Sequence, residues 1–117
     1  MKPALPADNL PADICRLLCY LGLTPNYTGF FYCAYALHLV RQDPQRLCLI
    51  YKWLYLDVAK HYRTTPAAVE RNIRLSIARI WHTQPERLSA LSAVPLTRRP
   101  SNARFLSILY AHFAFSS

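Results

Sequence analysis

The chain has 117 residues, of which 53% are hydrophobic and only 2 are glycine, so it can hold one packed core and is too short for two. That composition excludes a disordered tail, and no apolar run reaches the roughly 20 residues needed to cross a bilayer. A formal net charge of +8 favours an acidic partner such as nucleic acid, unless it only keeps an apolar chain soluble.

In chain order, Met1 to about Leu10 carries Pro3 and Pro6 and is expected to be a flexible arm. Residues 11–117 are expected to form the domain. Pro11 to Leu21 reads as a first helix, with Ile14, Leu17, Leu18 and Leu21 on one face. Gly22 is placed to end it in a left-handed conformation. After a turn containing Pro25, the stretch from Thr28 or Gly29 to Arg41 is dense in aromatics and reads as a buried core helix. Asp43 and Pro44 suit the N-cap and first position of a third helix. It would carry Leu47, Cys48, Ile50 and Tyr51 and end near Trp53.

The next two helices dominate the reading. The first runs from Leu54 to Tyr62, with Leu54, Val58, Ala59 and Tyr62 inward. The turn Arg63–Thr64–Thr65 contains no glycine, although such turns often do. Thr65 can cap the second helix, and Pro66 suits its first position. At about 100° per residue, Val69, Ile73, Ser76, Ile77 and Ile80 gather on one side and Ala67, Arg71, Arg74, Leu75 and Ala78 on the other. Glu70 lies four residues before Arg74, a favourable order for an ion pair. Small side chains allow close approach to a partner, and an arginine fork fits phosphate oxygens or the edge of guanine. The pattern is that of a helix-turn-helix, or of a helical hairpin whose arginine face is simply solvated.

Pro85 to Ala93 reads as a short helix around Leu88 and Leu91. Val94 to Pro100 is a loop bearing Arg98 and Arg99, either phosphate contacts or plain exposed charge. Ser101 is expected to cap a last helix from Asn102 to about Phe115, whose apolar face includes Phe105, Leu106, Leu109 and Phe113. Between Lys60 and Arg104 lie nine of the 14 basic residues and only Glu70 and Glu86 among the acids. The positive field is therefore concentrated around the candidate reading helix.

Cys15, Cys19, Cys33 and Cys48 form no C-x-x-C pair. With no secretory signal ahead of them, they are expected to be reduced, mostly buried thiols of a cytoplasmic, nucleoid-associated protein. His38, His61, His82 and His112 are scattered, and no spacing asks for a metal. No cofactor is expected. There is no glycine-rich phosphate loop and no nucleophile–base–acid set, so an enzyme is not expected.

The motifs LGLTPNYTGFFY (Leu21–Tyr32), LYLDVAKHY (Leu54–Tyr62), TTPAAVERNIRLSIARIW (Thr64–Trp81) and RPSNARFLS (Arg99–Ser107) occur in an informative order. In that order and near that spacing, the segment from Leu17 to Phe113 resembles the C-terminal DNA-binding effector domain of the stage-zero sporulation regulator A family of endospore-forming Firmicutes. The resemblance implies an all-α, winged-helix-like response-regulator effector without a sheet, about six helices around a central helix-turn-helix. It implies binding to a short box in double-stranded DNA, often as a homodimer on tandem sites, with the RNA polymerase sigma subunit or a full-length regulator as further candidate partners.

Carried over by the resemblance, Glu70 and Arg71 match the base-reading pair. Arg74 completes the candidate reading set and matches a position near the DNA backbone. Thr64 and Thr65 match the turn and cap at the start of the recognition helix. Two positions depart from the family pattern: Ala68 stands where an arginine is usual, and Leu75 where a histidine is usual, which predicts an altered or relaxed box. These 117 residues also leave no room for the family's phosphoacceptor receiver domain, so its usual phosphorylation control is not expected.

The leading expectation is a sequence-specific transcription factor with helix 66–81 in the major groove. Arg71 would donate to guanine and Glu70 accept from a cytosine amino group. Lys60, Arg63, Thr64, Thr65, Arg98 and Arg99 would serve the DNA backbone, as would Arg74. The alternative is a protein-interaction module that pairs with and modulates a full-length response regulator.

Overall fold

In the computed structural model, which describes residues 9–115, the helix that the others pack on is Thr28–Gln42. Most of its circumference is buried, including Phe30, Tyr32, Cys33, Ala34, Ala36, Leu37, Leu39 and Val40. A helix apolar all round belongs inside a core, as its composition predicts. In chain order the helices are α1 (Ala12–Tyr20), α2 (Thr28–Gln42), α3 (Leu56–Tyr62), α4 (Pro66–Thr83), α5 (Pro85–Leu91) and α6 (Asn102–Phe115). No strand occurs among the described residues. The fold is all-α; the helix-turn-helix α3–α4 is central in sequence, while α2 is central in the core.

Local signals end and begin several helices as expected. Gly22 has φ +93°. The Leu23 N–H donates to the Leu18 carbonyl and the Gly22 N–H to that of Cys19, both at 2.9 Å, which closes α1 with a Schellman motif. Leu18 and Leu23 are both fully buried, supplying the motif's apolar contact. The Ser101 hydroxyl accepts from Arg104 N–H at 3.2 Å and caps α6. Residues 1–8 of the expected arm lie outside the described residues. Leu10 does not belong to an arm: it is buried and joins the core with Ile14 and Leu18.

The third helix departs from expectation. Asp43 does accept from the Gln45 N–H at 3.1 Å, and Pro44 follows it. Only a 3-10 turn forms, Pro44–Leu47, because the backbone leaves helical geometry at Leu49 (φ −129°, ψ 62°). The chain resumes as a π-helical stretch, Ile50–Tyr55, that runs directly into α3. Arg46 reaches across this break, pairing with Asp57 and lying 5.4 Å over the Trp53 ring. The break turns Leu54 and Tyr55 into the core and leaves Leu49 and Tyr51 half-exposed.

Three other arginines tie helices together. Arg41 makes a two-pronged pair with Asp13, at 2.6 and 3.1 Å, which joins α2 to α1 and holds the Asp13 carboxyl below its usual pKa. Arg79 lies 4.2 Å over the Tyr27 ring, and Arg87 4.4 Å over that of Tyr20 while donating to the Tyr20 carbonyl at 2.8 Å. Two of the basic residues counted toward the field thus pack on aromatic faces of the α1–α2 side.

The thiols are free, but they are not mostly buried. Only Cys33 is buried; Cys15 is half-buried, and Cys19 and Cys48 are exposed. Cys19 lies in the last turn of α1 away from Leu18, and Cys48 lies at the irregular break, where no helix face turns it inward. Burial pushes the Cys33 thiol up to about 12.

Candidate nucleic-acid interface

The helix-turn-helix is built from two local features. α3 ends at Arg63, which takes the left-handed conformation (φ 57°, ψ 50°) usually given to glycine. The Thr64 N–H then returns to the Ala59 carbonyl at 2.9 Å. Thr65 is extended, and its hydroxyl accepts from the Ala68 N–H at 3.1 Å, with Pro66 opening α4. The cap and proline stand where their residue types predict.

α4 has the two faces that its periodicity predicts. Val69, Ile73, Ser76, Ile77 and Ile80 are buried. Ala67, Arg71, Arg74 and Leu75 are exposed, and Ala78 is half-buried. Arg71 projects from near the middle of the outward face, about 180° from the core side. It makes no ion pair and no side-chain hydrogen bond among the described residues. Glu70 sits at the flank, where Arg74 Nε donates to its Oε2 at 3.1 Å. That pair leaves the Arg74 side chain 49% exposed, so the guanidinium keeps free donors.

Beside that flank lies a cleft of about 790 Å³. Glu70 and Arg74 form one wall, residues 94–104 another, and Ile50, Tyr51 and Tyr55 of the π-helical stretch a third. Arg98 and Arg99, some 25 residues beyond Arg74 in sequence, therefore share a surface with it. Lys60 and Arg63 are exposed on α3 and its turn and do not line the cleft. Thr64 is half-buried.

Periodicity missed Asn102 and Arg104. The Asn102 amide donates to the Tyr55 hydroxyl at 2.9 Å and to the Glu70 carbonyl at 3.1 Å. It thus pins the start of α6 to α4 and to the π-helical stretch. Burial pushes the Tyr55 phenol up, with the Asn102 hydrogen bond pulling the other way. Arg104 is exposed on the cleft wall. Its position one turn into α6 was legible; that this turn faces α4 was not.

Among the described residues no helix is long and apolar enough to cross a membrane. A solvent-facing arginine helix, capped at its start and flanked by a cationic cleft, suits a polyanion, and comparison with known families agrees. The family model described as sporulation initiation factor Spo0A C terminal matches residues 14–113. That family is regulatory, not enzymatic, and binds double-stranded DNA. The chain belongs to the Spo0A C-terminal family and is a helical, sporulation-type DNA-binding domain of transcription regulation.

Proposed function

We propose that the domain reads double-stranded DNA sequence-specifically, with α4 in the major groove. The observation that carries this reading is Arg71, which projects from the face of α4 opposite its core and has no partner within the described residues. Its fork would donate to O6 and N7 of guanine. Glu70 would accept from the amino group of a cytosine, exchanging its contact with Arg74 for the base. Arg74, freed at one side, serves the read bases or the adjoining phosphates. Lys60, Arg63, Thr64, Thr65, Arg98 and Arg99 serve the backbone on either side, where contacts position the protein without reading sequence. With Ala68 and Leu75 where the family usually has an arginine and a histidine, the box is altered or relaxed relative to theirs. Two copies on tandem boxes would extend the read sequence. Such a protein works at the chromosome, in the cytoplasm.

The test is selection of binding sites from random duplexes by the purified chain at near-physiological salt. A motif is expected. Arg71→Ala should lose it, at about 1–3 kcal/mol per misread base pair, while keeping weak salt-sensitive binding. Arg98→Ala should weaken all sequences alike and leave the motif intact. Selection without enrichment, or an unchanged motif in Arg71→Ala, overturns the reading.

A further inference from the structure

The cleft beside α4 has a composition that the base-reading helix does not account for. Arg98, Arg99 and Arg104 line it and are exposed. None of the three makes an ion pair or a side-chain hydrogen bond among the described residues. Among the described residues the only carboxylate on its walls, Glu70, is engaged by Arg74. The same cleft exposes apolar surface: Tyr51 is 51% exposed and Val94 60%. Tyr51 stands edge-on to Tyr55, with ring centroids 5.1 Å apart, and Tyr55 is itself fixed by Asn102. Charge alone would suit any anion. Guanidinium groups set among apolar surface suit a ligand that alternates the two, and a sugar-phosphate strand alternates phosphate with deoxyribose.

We infer that this cleft is a second DNA-contacting element, which takes one sugar-phosphate strand beside the groove occupied by α4. Arg104 holds one phosphodiester, Arg98 and Arg99 hold its neighbours along the strand, and Tyr51 and Val94 lie against deoxyribose. Asn102 acts as a positioning residue: by tying α6 to the Glu70 carbonyl it sets the distance between the phosphate-holding arm and the reading helix. The inference rests on the DNA reading proposed above and adds to it a strand contact made by α6 and the π-helical stretch.

The test uses the full chain and the selected duplex, with affinity measured across a salt series. Arg104→Ala should weaken the selected and a scrambled duplex by the same factor and lower the salt slope by about 0.9, one phosphate's share. Arg104→Lys should restore the slope. Tyr51→Ala should weaken binding with the slope unchanged. In duplexes carrying one methylphosphonate at a time, neutralising one backbone position should weaken the wild type and leave Arg104→Ala unaffected. Wild-type affinity and slope in Arg104→Ala, or a changed base preference, overturns the inference while leaving the role of Arg71 standing. So does an unchanged slope accompanied by a thermal shift with inorganic phosphate that Arg104→Ala abolishes, which assigns the cleft to a free anion. If the wild type binds no duplex, the reading falls and this inference falls with it.

Discussion

Gly29 on α2 faces Ser76 on α4 with no room for a Cβ between them: a methyl on Gly29 would overlap the Ser76 Oγ and stand 2.8 Å from the Asn72 carbonyl oxygen. The Ser76 hydroxyl is spent on that same carbonyl, donating to it at 2.7 Å, so a buried polar group is satisfied inside its own helix. α4 therefore lies directly on α2, and its outward face is held at a fixed height above it.

Gly29→Ala should accordingly force α4 outward. Overpacking of this kind costs about 1–3 kcal/mol, read as a lower denaturant midpoint. Adding Ser76→Gly should return part of the loss and not all of it, because the Asn72 carbonyl still obstructs. A fully stable Gly29→Ala protein would show that the two helices do not meet this closely.

Arg63 separates stability from binding. Its left-handed backbone costs about 1–2 kcal/mol that glycine would not incur, against the roughly 0.5–1 kcal/mol of extra chain entropy that glycine loses on folding. Arg63→Gly should thus leave stability unchanged or raise it by up to about 1.5 kcal/mol. The same variant should weaken DNA binding and lower the salt slope, by about one charge's share. Thermal melts and salt-dependent affinity measure the two effects. A clear loss of stability would contradict the turn geometry.

Asn102→Ala should destabilise the domain by about 1–3 kcal/mol, because it leaves the buried Tyr55 hydroxyl without a partner. With Tyr55→Phe already present, the same change should cost less, the remainder being the lost bond to the Glu70 carbonyl. A double-mutant cycle by chemical denaturation checks this, and additive losses would mean that the bond between them contributes nothing.

Acid should weaken the fold through histidines before it reaches the carboxylates. The His61 ring stacks on Tyr35, with centroids 4.1 Å apart, and its Nε2 is buried without a hydrogen-bond partner. Burial lowers the pKa of His61, and of His38, below the usual 6.5. As pH falls below 6.5 the unfolded chain takes up protons that the folded chain refuses. This contribution is therefore complete above that value and is lost as pH falls through the lower folded-state pKa. Asp13, held low by Arg41, acts the same way only in more acid solution, below 3.8. Denaturation at about pH 7.5 and about pH 5 should show the loss, and His61→Phe should reduce it. A pH-independent midpoint over that range would contradict it.

The residues themselves determined whatever depends on neighbours a turn away. Thr65 and Pro66 marked the start of α4, Gly22 the end of α1, and the 100° spacing of Val69, Ile73, Ile77 and Ile80 left Arg71 on the outside. Those features are legible because capping and helix periodicity involve groups within four residues of each other. Local signals failed where no residue type announces the event. Nothing in Cys48–Leu49–Ile50 marks a broken helix, and nothing in Arg63 announces a left-handed turn. Both are imposed by the packing of Leu54, Tyr55 and Val58 into the core, which the turn must accommodate. Tertiary structure alone decided which helix end faces which side of α4. Periodicity gives a helix its faces but not its neighbours, so the meeting of Arg74 with Arg98, Arg99 and Arg104, and the Asn102 clamp across to Glu70, exist only once the core has closed.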